Sequence, residues 1–209
     1  MKRGRFISFE GGEGCGKTTQ IARLKSALEA RGERVVVVRE PGGTRLAELI
    51  RTLLKDEEQD PPCDRTELLL FLAARAQLVR NVIRPALEDG KWVLSDRFSD
   101  STFAYQGYGR GLPLDFLREA NAFACEGVAP DRTLLLEVPP EVAESRMRKR
   151  EARTSSSADR IERAGGGFHA RVSAGFAALA EAEPGRIVRI DASGTPDEVA
   201  ALILSAIGI

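Results

Sequence analysis

Residues 6–19 read Phe6-Ile7-Ser8-Phe9-Glu10-Gly11-Gly12-Glu13-Gly14-Cys15-Gly16-Lys17-Thr18-Thr19, and the segment from Gly11 to Thr18 is a complete G-x-x-x-x-G-K-[ST] phosphate loop. It follows a short apolar run and precedes a helix-like pattern, the setting this motif requires. Glycines allow successive backbone N–H groups to turn inward around phosphate oxygens, and the helix behind the loop aims its positive end at the anion. The expected nucleotide cradle is therefore Gly11, Gly12, Glu13, Gly14, Cys15, Gly16, Lys17, Thr18 and Thr19. Lys17 reaches the β- and γ-phosphates of a bound triphosphate, and the Thr18 hydroxyl serves Mg²⁺.

Working outward, short apolar runs at 6–9, 35–38, 92–95, 133–138 and 187–190 alternate with longer amphipathic segments. This is the pattern of a buried parallel sheet with helices on both faces. Helices are expected over 17–30, 46–54, 66–88, 113–125, 140–150, 168–182 and 196–206, several of them stopped by glycine. The fold class is α/β: a three-layer P-loop fold whose five-stranded parallel sheet is flanked by helices, with a short mobile lid. The serine run at 154–157 and the glycines at 165–167 place that lid at about 148–166 of one domain spanning 1–209.

The chain carries 31 basic and 31 acidic residues, so no general attraction to nucleic acid or membrane is expected. Cys15, Cys63 and Cys125 are scattered and His169 is the only histidine, which argues against a Cys/His metal site. The apolar stretch behind the basic N-terminus is too short for a signal peptide or membrane span, so the expected location is the cytoplasm.

In open parallel sheets ligands gather beyond the carboxyl ends of the strands. That rule collects the phosphate loop, the segment Arg39-Glu40-Pro41-Gly42-Gly43-Thr44 and the segment Asp96-Arg97-Phe98 around one cleft. Asp96 is positioned to help hold Mg²⁺ or its waters, and Arg97 to grip a second phosphate. Glu40 and Pro41 sit in a rigid turn suited to an acceptor substrate. Phe71 and Arg75, four apart on a helix, share a face and offer a stacking ring beside a cation, although Phe71 lies in a run that by itself reads more as core than as ligand. The basic run Arg146, Arg148, Lys149, Arg150 and Arg153 leads into the lid and can close over a transferring phosphoryl group.

The residues resemble the bacterial thymidylate kinases over nearly the whole chain. The resemblance is carried by the Phe9-to-Thr19 segment, the Arg39-to-Thr44 turn, Phe71 with Arg75, and Asp96-Arg97-Phe98 with Ser101 and Ala104-Tyr105-Gln106-Gly107. Asp159-Arg160-Ile161-Glu162 and Phe168-His169-x-Arg171-Val172 complete it. It implies transfer of the γ-phosphoryl group of ATP to dTMP, and a homodimer. By the same resemblance Phe71 stacks on thymine, Arg75 meets its carbonyl edge, and Arg97 holds the 5′-phosphate, while Ser101 belongs to the same acceptor pocket. Tyr105 crowds the 2′ position of the sugar, Thr102 and Gln106 meet the base, and Glu13 approaches the acceptor. With Cys15 and no arginine in the phosphate loop, the chain resembles family members whose catalytic arginine lies in the lid, here Arg148, Arg150 or Arg153.

Three departures stand out: Glu137 replaces the family's usual Asp, Cys15 adds a thiol beside the phosphates, and Gly165-Gly166-Gly167 loosens the lid further. The alternatives are a kinase for another nucleoside monophosphate or deoxynucleoside, and a non-kinase P-loop NTPase. A guanine-binding switch would show Asn-Lys-x-Asp, and the only asparagines, Asn81 and Asn121, stand in no such motif.

Overall fold

The apolar runs form five parallel strands in a computed structural model that describes residues 3–55, 61–151, 160 and 163–209. They are β1 (Phe6–Glu10), β2 (Val35–Arg39), β3 (Trp92–Asp96), β4 (Arg132–Glu137) and β5 (Ile187–Asp191), ordered β2-β3-β1-β4-β5. The chain passes from β1 to one edge and later returns to the other side of β1, so the order reverses beside that strand. The crevice at such a reversal is where ligands bind in open α/β sheets.

Strand alternation decides which layer each residue meets. Ile7 and Phe9 of β1, Trp92 and Leu94 of β3, and Leu134 and Leu136 of β4 pack with α1 (Lys17–Glu29) and the C-terminal α9 (Pro196–Ala206). Phe6 and Val93, pointing the other way, join Leu78, Val79, Ile83 and Leu87 from the helical run behind β2 and β3. Each such fully buried side chain contributes about 2 kcal/mol relative to exposure.

Helix α2 (Arg45–Lys55) follows the β2 turn, and α3 (Asp64–Leu78) continues through a π-helical turn at Val79–Ile83 into α4 (Arg84–Glu88). The single helix expected over 66–88 is thus one continuous run with a widened turn. Its residues Leu68, Leu72 and Leu78 are core, whereas Leu69 is exposed. After β3 come α5 (Ser99–Thr102), a second π-helical stretch at Phe103–Gly109, and α6 (Leu114–Cys125). The helical turns over 99–109 were absent from the sequence pattern. Gly107 there lies against Leu114 and Leu117, and Gly109 against Phe168 and Val172, so close packing rather than propensity shapes the segment. Helices α7 (Pro140–Glu151) and α8 (Gly166–Ala182) stand on either side of the segment in which the lid is expected. The serine run of the lid and Arg153 lie outside the described residues, as do Asp159, Ile161 and Glu162.

Candidate active site

The phosphate loop occupies the β1–α1 connection. Gly11, Gly14 and Gly16 have φ of 128°, 71° and 96°, angles that side-chain-bearing residues rarely adopt. A Cβ on Gly14 would meet the backbone of Ala143 on α7 at 2.6 Å, so α7 is held against the loop. The ammonium of Lys17 donates to the carbonyls of Gly11 (3.0 Å) and Gly12 (2.8 Å), which holds the cation over the cradle. Cys15 is buried, its thiol donating to the Gly12 carbonyl at 3.0 Å.

The loop opens onto a cleft of about 670 Å³ that gathers most of the residues singled out from the sequence. Glu13 through Thr19, Glu40, Pro41, Phe71, Arg75, Asp96, Arg97, Ser101, Thr102, Tyr105 and Gln106 all line it. Gly11 and Gly12 contribute the carbonyls that hold Lys17. Phe71 does two jobs, lining the cleft and packing against Ala47, Ile50, Leu54 and Ala74. The Glu40–Pro41 peptide is cis. The turn behind it is tied by Arg39 to the Pro41 carbonyl (2.9 Å) and by Glu48 to the N–H of Gly43 (2.8 Å).

Arg97 stands at the centre. Its φ of 71° is left-handed, and its N–H is fixed to the Phe9 carbonyl at 2.9 Å. The guanidinium donates to Glu13 (3.2 Å) and to the Ser101 hydroxyl (3.3 Å), and lies 5.0 Å over the Tyr105 ring. Beneath it Glu10, fully buried, accepts from the Phe98 N–H at 2.8 Å and from the Ser101 hydroxyl at 2.6 Å. Burial pushes the Glu10 carboxyl up to about 7, against the pull of Arg97 at 3.9 Å. The expected strand ends at Phe9 and Glu10 is given no role, whereas β1 runs on through it. The signal available was an acidic residue ending the strand that opens the phosphate loop.

Arg75 is 1% exposed and all five of its N–H donors are taken. They go to Glu40, Thr102, Asn121 and the Phe98 carbonyl, with the Nη2 to Glu40 contact at 2.5 Å. Any bond from Arg75 to a base carbonyl is therefore shared with one of these partners. Its plain geometric role is to brace Glu40 and Thr102.

The arginines expected to serve a lid fall out differently. Arg148 is 72% exposed with Glu144 3.9 Å away and does not line the cleft, while the side chain of Arg150 and all of Arg153 lie outside the described residues. Arg146, named in the basic run but not singled out, does line it. It donates to the Ala192 carbonyl at 3.0 Å and reaches the Gly14 carbonyl at 3.5 Å, bridging the phosphate loop and the β5–α9 loop. One helical turn separates cleft-facing positions, and the sequence alone did not fix the rotation of α7. Glu137 pairs with Arg189 at 2.7 Å on the sheet edge.

Among the described residues no three His, Cys, Asp or Glu side chains gather closely enough to hold a metal by themselves. Thr18 and Asp96 line the cleft beside the loop, a hydroxyl and a carboxylate. Such hard oxygen donors fit Mg²⁺, which takes one or two protein oxygens and fills its shell with phosphates and water. No helix among the described residues is long and apolar enough to cross a membrane.

The comparison with known proteins agrees with this geometry. A thymidylate kinase family model matches residues 9–203. The thymidylate kinase of Chlorobaculum parvum is 50% identical over 97% of this chain and 94% of its own length, and that of a Synechococcus strain is 51% identical over the same shares. The crystal structure of thymidylate kinase from Ehrlichia chaffeensis superposes with a TM-score of 0.77 at 33% identity, covering 98% of this chain and 99% of that one. With a phosphate loop opening onto one cleft, a family model matching residues 9–203 and these relatives over 97% of its length, the chain belongs to the thymidylate kinase family.

Proposed function

We propose that the chain transfers the γ-phosphoryl group of ATP to dTMP, giving dTDP and ADP, within one kinase domain spanning 1–209. The observation that carries this reading is the hydrogen bond between Glu13 of the phosphate loop and Arg97 of the acceptor side, at 3.2 Å. With the phosphate loop and the Arg97 guanidinium within one side chain's length, the bond supports a donor and an acceptor phosphate meeting in one cleft.

The acceptor is already an oxyanion, so no strong general base is needed. A phosphate oxygen of dTMP attacks the γ-phosphorus, and the bond to the bridging oxygen breaks with its electron pair leaving on ADP. Lys17 and the loop N–H groups neutralise the donor, Arg97 fixes the attacking phosphate, and Glu13 holds the Arg97 guanidinium in place. Phe71 stacks on the base, Thr102 and Gln106 meet its edge, Glu40 and Pro41 wall the sugar side, and Tyr105 disfavours a 2′-hydroxyl. Thr18 and Asp96 would hold Mg²⁺, which would supply charge neutralisation for the donor phosphates. Arg146, with Arg148, Arg150 and Arg153 of the lid segment, supplies further positive charge while closure excludes water.

The exposed apolar side chains Leu69 on α3 and Phe116 and Phe123 on α6, the last 86% exposed, support a homodimer. The cleft suits small nucleotides rather than nucleic acid or a membrane, and a nucleotide kinase of this kind is placed in the cytoplasm by this reading. A coupled assay of ADP release tests the reading: ATP consumption is expected to depend on added dTMP, and release unaffected by dTMP contradicts it.

A further inference from the structure

Glu67 lies in the first half of α3, has no exposed surface, and appears in none of the motifs discussed above. Its carboxylate sits behind the base pocket. Oε1 accepts from the Nε2 of Gln106 at 2.8 Å, and Oε2 accepts from Arg110 at 3.0 Å and Arg160 at 2.5 Å. Burial alone would raise the Glu67 pKa, but the hydrogen bonds from Arg110, Gln106 and Arg160 outweigh it and hold the carboxyl below its ordinary range.

An ionised carboxylate only accepts hydrogen bonds. The amide of Gln106 must then turn its NH₂ group toward Glu67, and its oxygen is directed away. That oxygen has no partner among the described residues, and Gln106 lines the cleft beside Phe71 and Thr102. We propose that Glu67 is a specificity-determining positioning residue, which locks the Gln106 amide so that it presents an acceptor to the acceptor base. A base with a ring N–H between two carbonyls, as in thymine and uracil, matches that oxygen. Cytosine carries a lone pair on the same ring nitrogen and meets it acceptor to acceptor. A site built around a fixed polar group rejects the mismatched ligand far more strongly than an apolar pocket does. The proposal rests on the base of dTMP lying in this pocket.

The test is the ratio of kcat/KM for dTMP over dCMP in wild type, Glu67→Gln, Gln106→Ala and the double variant. A neutral amide at 67 both donates and accepts, so Gln106 is free to turn over. In Glu67→Gln the ratio is expected to fall at least about tenfold, mainly through a raised KM for dTMP, with KM for ATP within about twofold. In the Gln106→Ala background the same change is expected to leave the ratio unaltered, because the two residues act as one unit. A merely structural role would instead lower the ratio equally in both backgrounds or raise both KM values. Should Glu67→Gln fail to fold, Glu67→Asp keeps the charge for both arginines while withdrawing it from Gln106, and the same fall in ratio is expected. A wild-type preference that survives the substitution overturns the proposal alone. A wild-type chain with no preference for dTMP over dCMP overturns the base pocket itself.

Discussion

The Glu13 carboxylate and the Arg97 guanidinium meet at 3.2 Å although 84 positions separate them in the chain. One belongs to the loop that cradles the donor, the other to a left-handed residue at the end of β3, the strand paired with β1. Arg97 is thus held by three oxygens of its own chain, from Glu13, Ser101 and the Phe9 carbonyl, before a phosphate arrives. Preorganisation of this kind lowers the ordering cost at the moment of binding.

Arg97→Lys removes the planar fork while keeping the charge. A lysine cannot serve a phosphate bidentately and Glu13 together. KM for dTMP is expected to rise by about tenfold or more with KM for ATP little changed, as read from initial rates at saturating co-substrate.

Lys17→Met leaves an apolar chain of similar volume where the ammonium meets the Gly11 and Gly12 carbonyls. Turnover should drop by roughly a thousandfold or more, since charge neutralisation on the transferring group is the main catalytic device. The melting temperature is expected to stay within a few degrees, and near-normal turnover contradicts the assignment of Lys17.

Glu40→Ala strands Arg75 in the interior. Both side chains are almost wholly buried, and their closest contact is 2.5 Å. Removing one partner of such a pair costs about 3–5 kcal/mol, because the remaining charge has neither water nor counter-ion. The urea midpoint at pH 7 measures this, and an unchanged midpoint refutes the pairing.

Glu10 gives the stability a pH dependence of known sign. Its carboxyl titrates near 7 when folded against an ordinary value of 4.5, so between those values the native state binds more protons than the unfolded one. Stability therefore falls as pH rises through that window, by an amount on the order of 2 kcal/mol from this group. Glu10→Gln is expected to flatten the fall by that amount in urea titrations at pH 5 and pH 8.

Phe71→Ala removes the stacking ring and part of the packing against Ala47 and Ile50. KM for dTMP should rise severalfold or more, with a smaller loss of thermal stability than a full core truncation, since Phe71 is only partly buried. An unaltered KM for dTMP places the base elsewhere.

The central strands β1, β3 and β4 were legible because parallel strands buried on both faces read as largely apolar runs, as in 92–94 and 134–136, whereas the edge strands β2 and β5, expected to be equally buried, are partly exposed because each has a neighbour on one side only. The phosphate loop was legible because backbone geometry demands glycine at Gly11, Gly14 and Gly16. The turns over 99–109 were hidden, since Gly107 and Gly109 weaken helix propensity and only neighbours such as Leu117 and Phe168 hold them. Glu10 and Glu67 were hidden for another reason. A buried carboxylate is defined by partners distant in sequence, Phe98 and Ser101 for one and Gln106 and Arg110 for the other. Arg146 rather than Arg148 faces the cleft because of how α7 rests on Gly14, which residue spacing alone does not set.

The central claim concerns the acceptor, and initial rates of ADP formation by the wild-type chain across dTMP, dUMP, dCMP, AMP and GMP test it most directly. The account predicts the highest kcat/KM for dTMP, with the cytosine and purine nucleotides lower by at least about a hundredfold. A higher kcat/KM for any of the other four contradicts it.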